Sequence, residues 1–443
     1  MDTLPLPPSP SLEQYRKRAK ALVAAAQSTD SAAVHDWAHA WLESLVKSLG
    51  VEPTRFVRDS IDRAVAHIEA RVRDRANGAR AKSFALADAQ HLIAEAHGFA
   101  NWGAFAQQIE EAAGKRDRTD DFELAADAVV DGDLATLQSL VHRHPELIRA
   151  RSRRVHHVTL LHYIAANGVE DFRQKTPKNA VGIARFLLES GAEPDAPADT
   201  YDGGHWQTTM NLLVSSAHPA GAGLMSALAE TLIDFGAAPN GPRDDESPMM
   251  TALDFGYGDA AETLARRGAR VDNVVTAAAL GQLDLVRGFV VDKNTIARGV
   301  PLIAPGWRRL AAEPKQHIEF AFAWSCKFAR TEVAEFFLDL GVDPASKDGY
   351  NMTALHWAAA NGMMSVVHRL LAAGAPLEAL NRWGGTLLNS TIHFAMYMPV
   401  KGVDYPAVLD TLIAAGADVT VAYPSGDQRI DAQLRRHGAG APA

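Results

Sequence analysis

A helix ending that recurs along this 443-residue chain limits the folds that it can adopt. Six times, an apolar helical segment is followed by a glycine and then by alanine or valine. Successive glycines are separated by 45, 32, 73, 33 and 42 residues. These intervals fit a period of about 33 with short additions and one degenerate copy inside the longest interval. The glycines are Gly191, Gly236, Gly268, Gly341, Gly374 and Gly416.

The clearest copy of the repeat covers residues 347–381 and contains the segment TALHWAAANG. Thr353 is a residue type that caps helices with its hydroxyl, so it predicts the start of a first helix. Gly362 predicts the turn to a second helix, whose apolar residues follow a spacing of three and four. Gly374 predicts a left-handed ending to that helix. The copy therefore predicts a turn followed by two helices.

A unit of about 33 residues with this order resembles the ankyrin repeat, and weaker copies predict roughly eight units over residues 119–423. The segments HYIAANGVEDFRQKTPKNAV and TYDGGHWQTT are similar to a group of bacterial ankyrin-repeat proteins with long insertions. The resemblance implies an all-α ankyrin-repeat solenoid, built from helix pairs with β-turn fingers. Residues 424–443 are expected to form a closing helix and tail. The predicted insertions lie at 169–178, 215–226, 292–317 and 395–406.

The region before the repeats does not follow this period. Residues 1–10 predict a flexible N-terminus, and residues 11–118 predict a helical N-terminal domain. Such a helical region is similar to the segment that often precedes bacterial ankyrin arrays. It either covers the exposed apolar end of the first repeat or binds a partner independently, and the sequence leaves both roles open.

Charge and cysteine content exclude several classes of function. The net charge of −9 gives no basic surface for nucleic acid. Cys326 is the only cysteine, so an intramolecular disulfide and a multi-thiolate metal site are excluded. No secretory signal and no run of about 18 apolar residues is recognisable, so we expect a cytoplasmic protein without a membrane segment.

The histidines do not form a catalytic motif. His35 and His39 have the helical spacing of a zinc pair, but no HExxH motif accompanies them and a surface role is favoured. His162 and His356 occupy equivalent positions of two repeats, where the resemblance implies a hydrogen bond to the adjoining turn. Cys326 lies in an apolar segment and is expected to be a buried thiol. No cofactor is predicted.

Large aromatic residues in the predicted turns are the main functional candidates. Side chains in these turns are not expected to pack in the hydrophobic core, and tryptophan and tyrosine are enriched at binding hot spots. Alternatively, these rings stack on the neighbouring turn and stiffen the array. The candidate partner-binding residues are Tyr201, His205, Trp206, Trp307, Asp348, Tyr350, Arg382 and Trp383.

The sequence supports two functional hypotheses, which belong to different classes of protein function. The first is a non-catalytic protein–protein interaction scaffold that binds a protein partner through a concave groove and its turn tips. The second is an enzyme or small-molecule binder with a polar pocket in the inserted loops of the second and third repeats. Its polar groups would be His205, His218, His156 and His157. A purely structural spacer leaves the insertions unexplained.

Overall fold

The computed structural model is mostly helical, and it divides into two compact units between Thr251 and Ala252. Within the described residues, no helix is both long enough and apolar enough to cross a bilayer. The described residues are 3–7, 10–77, 84–114, 121–169, 174–200, 205–245, 247–303 and 313–440.

The N-terminal part of the first unit is a helical bundle with its own apolar core. Ser11 caps the first helix, as its hydroxyl accepts a hydrogen bond from the Gln14 amide, and Gly98 ends the fourth with a φ of 77°. Tyr15, Trp41 and Phe105 are among the large side chains buried in the core. The helices are α1 (Leu12–Ala26), α2 (Ala33–Ser48), α3 (Arg55–Asn77), α4 (Leu86–Ala96) and α5 (Trp102–Gly114).

Shorter helices complete the first unit. Thr208 caps the helix that follows the first hairpin by accepting a hydrogen bond from the Asn211 amide. The elements are α6 (Asp121–Asp131), α7 (Leu134–Arg143), 3₁₀ helices Pro145–Ile148 and Leu160–Ala165, α8 (Ala180–Glu189), β1 (Ala198–Thr200), β2 (His205–Gln207), α9 (Thr209–Leu213), α10 (Ala217–Gly221) and α11 (Met225–Asp234). Helix α12 (Ser247–Asp254) spans the division between the units.

Backbone and side-chain hydrogen bonds join the N-terminal bundle to the turn before Thr159. We call residues 151–158 the first finger. The Val155 amide donates to the Gly98 carbonyl at 2.7 Å, and the Arg154 guanidinium donates to the Leu4 carbonyl at 3.5 Å. Arg154 also pairs with Glu123 at 3.3 Å and is only 1% exposed. The first finger is therefore tied to the bundle on its Arg154 side.

The second unit consists mainly of consecutive helix pairs. Its elements are α13 (Gly258–Arg266), α14 (Val274–Ala279), α15 (Leu283–Phe289), β3 (Val290–Asp292), β4 (Thr295–Ile296), α16 (Pro314–Lys327), α17 (Thr331–Asp339), α18 (Ala354–Ala360), α19 (Met364–Ala372), α20 (Leu387–Tyr397), α21 (Tyr405–Ala414), a 3₁₀ helix Val419–Ala422 and α22 (Gln428–Arg436). Helices α14, α16, α18 and α20 pack successively against one another and form an inner row, while α15, α17 and α19 form an outer row. Small and branched apolar side chains fill the seams, since α18 alone buries four alanines and Leu355.

The best repeat copy folds as the sequence predicts. The Thr353 hydroxyl accepts a hydrogen bond from the His356 amide at 3.3 Å and caps α18. Gly362 and Gly374 have φ values of 64° and 78°, which favour glycine at both helix ends. A methyl group at Gly362 would approach the Val403 side chain to 2.8 Å, so this turn also has no space for a larger residue.

Two hairpins depart from the predicted pattern. Strands β1 and β2 pair antiparallel immediately before the Thr208 cap. Strands β3 and β4 follow α15 directly because Val290, at the end of that helix, is extended rather than left-handed. This explains the missing glycine in the 73-residue interval: the helix pair α14–α15 is present but has a hairpin at its end. Helix α16 begins at Pro314, inside the predicted insertion 292–317.

Candidate functional site

The most exposed aromatic side chain of the described residues is on a turn of the second unit. Trp383 is 70% exposed, and its ring stacks on Tyr350 with centroids 5.6 Å apart and planes 11° from parallel. The Arg382 guanidinium lies 5.6 Å from the centroid of each ring. The two turns, residues 347–352 and 381–385, are called the open fingers.

Local hydrogen bonds fix both open fingers. In the second finger, the Asn381 side-chain oxygen accepts from the amides of Trp383 at 2.9 Å and Gly385 at 3.0 Å. The Arg382 amide donates to the Tyr350 carbonyl at 2.9 Å and joins the two fingers. Trp383 is therefore exposed on a turn that its own backbone contacts hold in place.

Asp348 requires a correction to the predicted site. It was expected to contact a partner, but it is 5% exposed, and its carboxylate accepts bonds from the Tyr350 and Met352 amides at 2.8 and 3.0 Å. The Trp357 indole donates to the other carboxylate oxygen at 2.9 Å. Burial raises the pKa of the carboxyl, while these donors and the Lys327 charge act in the opposite direction. Asp348 holds the first open finger together, and its carboxylate is buried and used by three donors of the same repeat copy.

Lys327 lies behind the fingers, and the sequence did not single it out. Its ammonium donates to the carbonyls of Leu253 and Asp254 at 2.9 and 2.7 Å, at the end of α12. The ammonium lies 5.7 Å from the Tyr350 ring centroid and 5.4 Å from the Trp357 ring. Such cation–π contacts are stabilising when the cation is partly desolvated. Lys327 therefore connects the Tyr350 ring to the end of α12.

Ring contacts continue from the fingers across the inner helices. Trp357 and Phe394 meet edge to face at 5.7 Å, and His393 lies between Phe394 and Tyr397 at 6.2 and 5.0 Å. Tyr397 is 49% exposed. We call Trp383, Tyr350, Trp357, Phe394 and Tyr397 the aromatic strip.

The predicted insertion 395–406 extends this surface. Met398 and Val400 are 59% and 39% exposed. The Tyr405 hydroxyl anchors the segment, because it donates to the Ala360 carbonyl at 2.9 Å and accepts from the Val400 amide at 3.1 Å. An apolar surface therefore follows the end of the aromatic strip.

Two of the other predicted partner-binding residues lie in the first unit, and two lie outside the described residues. His205 and Trp206 lie on β2 of the first unit, where Trp206 pairs with Asp199, and their side chains are not described. Tyr201 and Trp307 lie outside the described residues.

The polar residues of the alternative hypothesis occupy different environments. His156 is buried, and burial lowers its pKa well below the ordinary value, with Arg154 adding to the effect. The adjacent His157 is exposed and has a φ of 46°. Burial also lowers the pKa of His218. Within the described residues, no group of three or more histidine, cysteine or acidic side chains has the geometry to hold a metal ion.

The histidines of the two repeat copies are buried, and each bonds the threonine that precedes its own helix. The His162 and His356 Nδ1 atoms lie 2.9 and 2.8 Å from the hydroxyls of Thr159 and Thr353, and each accepts a bond from its threonine amide. Burial lowers both pKa values to about 4. Cys326 is a buried thiol, and burial raises its pKa to about 12.

Comparisons with known proteins identify ankyrin repeats in a segment that carries part of the site. Residues 322–371 match the family model described as ankyrin repeats (many copies). This segment includes Lys327, Tyr350 and Trp357, while Trp383 lies in the turn that follows it.

The search of solved structures also returned an ankyrin repeat domain. The crystal structure of the human ASB11 ankyrin repeat domain has 20% sequence identity to this chain and a TM-score of 0.32. The match covers 68% of this chain and 99% of that one. The search of curated proteins found no match.

Sequence reasoning missed Lys327, Trp357, Phe394 and Tyr397 as site residues. Trp357 carries a usable signal, because it directly follows the buried His356 on a short helix and is therefore rotated away from that side chain. Lys327 carries none, since its position depends on carbonyls more than 70 residues away.

Proposed function

We propose that this protein is a non-catalytic protein-interaction module and that a protein partner binds along the aromatic strip. The stacked pair Tyr350 and Trp383 carries the proposal. Ankyrin repeats generally mediate protein–protein interaction, and the family match at residues 322–371 includes Tyr350, while Trp383 lies in the turn that follows. The partner would contact the fingers and the inner helices, which is the groove that the sequence resemblance implies.

The energetics of an exposed indole support this assignment. A tryptophan with most of its surface in water leaves its apolar area available for burial by a partner. Stacking on Tyr350 restricts the rotamers of Trp383 before binding, which lowers the entropy cost of association. Stacking therefore both stiffens the fingers and prepares a contact surface, so the two interpretations of these aromatics are compatible.

The proposal includes four further residues that only the sequence supports as partner-binding residues: Tyr201, His205, Trp206 and Trp307. They would form further contacts with the same partner or a second one. The proposal includes no cofactor, no nucleic acid and no membrane, and it assigns the protein to the cytoplasm.

A capture experiment with matched variants tests the proposal. Wild-type protein, Trp383→Ala and Val291→Ala are used to recover crosslinked proteins from a lysate for quantitative mass spectrometry. Val291 is 64% exposed on β3 and lies outside the strip, so it controls for the loss of any exposed apolar side chain. We expect Trp383→Ala to lower the affinity for a partner at least 30-fold, the size of a hot-spot truncation of about 2 kcal/mol, while Val291→Ala binds normally. Equal recovery of every protein by all three would exclude the strip as the binding surface.

A further inference from the structure

Arg382 has an exposed, charged side chain on the second open finger. Its guanidinium contacts the faces of Tyr350 and Trp383, and the described residues offer it neither a hydrogen bond nor an ion pair. The side chain is exposed, while the backbone is fixed by the bond to the Tyr350 carbonyl. A guanidinium has five donors in a planar fork that fits a carboxylate in a bidentate manner.

The charge around Arg382 favours an anionic ligand group. Lys347 is also exposed and has no ion pair among the described residues. The nearest acid in the finger, Asp348, is buried, and three N–H donors use its carboxylate. The open fingers thus present two uncompensated cations on a chain whose net charge is −9.

We propose that the open fingers bind an acidic peptide segment, with an aspartate or glutamate side chain paired to Arg382 and an adjacent apolar side chain packed on Trp383. This inference rests on the proposed function and specifies the chemistry of the partner. The apolar contact excludes water beside the guanidinium, which strengthens the charged hydrogen bonds. The exposed end of the strip at Tyr397 and Met398 would accept further apolar residues of the same segment.

Selection from a random library of 12-residue peptides displayed on phage tests the inference. The full chain is compared with Arg382→Gln, Trp383→Ala and the control Arg287→Gln, whose guanidinium is exposed on α15. We expect wild type and Arg287→Gln to enrich the same acidic–apolar sequences. Arg382→Gln should lose the acidic preference, and Trp383→Ala should enrich nothing in common with wild type.

A double-mutant cycle on the best peptide then isolates the ion pair. Fluorescence anisotropy with the labelled peptide and its acid-to-amide variant should show a 10- to 30-fold loss of affinity for either change alone. The two changes together should cost no more than about one of them, because both remove the same pair. Additive losses, or Trp383-dependent peptides without an acidic residue, would overturn the inference and leave the proposed function standing.

Two other outcomes also decide the matter. If no peptide depends on Trp383, both the inference and the proposed peptide surface fail. If a phosphoserine version of the best peptide binds more than 10-fold tighter than the acidic one, the ligand group is a phosphate, and the carboxylate assignment is overturned.

Discussion

Two finger arginines are used in opposite ways in the two units. Arg154 of the first finger is buried, pairs with Glu123 and reaches the Leu4 carbonyl of the N-terminal segment. Arg382 of the open fingers is exposed, lies on two aromatic rings and has no polar partner among the described residues. The same residue type in a similar turn therefore holds the fold together in one unit and is available for binding in the other.

The difference bears on the role of the N-terminal helices. Besides Arg154, the Val155 amide bonds Gly98, and the Thr3 hydroxyl donates to the Val169 carbonyl at 2.6 Å. Only the Gly98 contact comes from residues 11–118, whose capping role stays a prediction; Thr3 and the buried Leu4 belong to residues 1–10, where the sequence predicted a flexible N-terminus. The first finger is bonded to the N-terminal part of the chain, whereas Trp383 of the open fingers is exposed to solvent.

Lowering the pH should produce the largest difference in stability between the two units. In the described residues, the first unit contains three buried histidines with strongly lowered pKa values, His97 at about 3, His156, and His162 at about 4. The second unit contains one, His356 at about 4. Burial is the largest cause in each. The imidazoles stay neutral in the folded state, but in the unfolded chain they take up protons near pH 6.5. Their contribution to stability is complete above that pH and is lost as the pH falls toward 4.

Each of these histidines should add about 1.4 kcal/mol of destabilisation per pH unit across this window. Hydrogen exchange measured at pH 7 and pH 5, corrected for intrinsic rates, should show a larger loss of protection in residues 86–109 than in residues 354–372. The chain offers its own control, because Asn389 replaces histidine in the otherwise similar cap of Thr386. His162→Asn should reduce the acid sensitivity of the first unit. Equal loss of protection in both units would contradict the assignment.

The second largest difference is expected when each of the two finger arginines is replaced by methionine and the free energy of unfolding is measured. Arg154→Met should lower the free energy of unfolding by about 3–5 kcal/mol, since it breaks a buried ion pair. Arg382→Met should change it by less than about 0.5 kcal/mol, as expected for a surface position. Urea unfolding measures both, and faster exchange of the Val155 amide would localise the first effect. Losses of similar size would mean that exposure of the guanidinium does not distinguish the two fingers.

The sequence predicted the local structure of the second unit better than its site. Thr353 supplies a capping hydroxyl, and Gly362 and Gly374 have no Cβ to oppose a positive φ, so their roles follow from residue type and spacing. Asp348 was misassigned because burial depends on the neighbouring helix: its carboxylate receives the Trp357 indole. Lys327 was missed because its partners come from α12, far away in the chain.

The N-terminal bundle shows the same division between local and distant information. Asn101 is of a residue type that favours helix caps, and its side chain accepts a hydrogen bond from the Ala104 amide at 2.9 Å at the start of α5. The attachment of the bundle to the first finger was not predictable, because the Val155–Gly98 and Arg154–Leu4 contacts join residues 57 and 150 positions apart. Helix caps and turns depend on a few adjacent residues and can be predicted from them. Whether an arginine is buried in an ion pair or exposed depends on residues that are distant in the sequence.

The smallest expected difference lies between the two threonine caps. Thr353 bonds both the His356 ring and its amide and begins an α-helix, whereas Thr159 contacts the His162 ring and begins the 3₁₀ helix Leu160–Ala165 without a side-chain cap bond. Thr353→Ala should therefore cost about 1–2 kcal/mol, and Thr159→Ala about half as much. Urea unfolding of both variants measures the difference, with the two Thr→Ser variants as controls that keep the hydroxyl. If the serine variants lose as much stability as the alanine variants, the threonine methyl group, and not the hydroxyl, is the stabilising part of both caps.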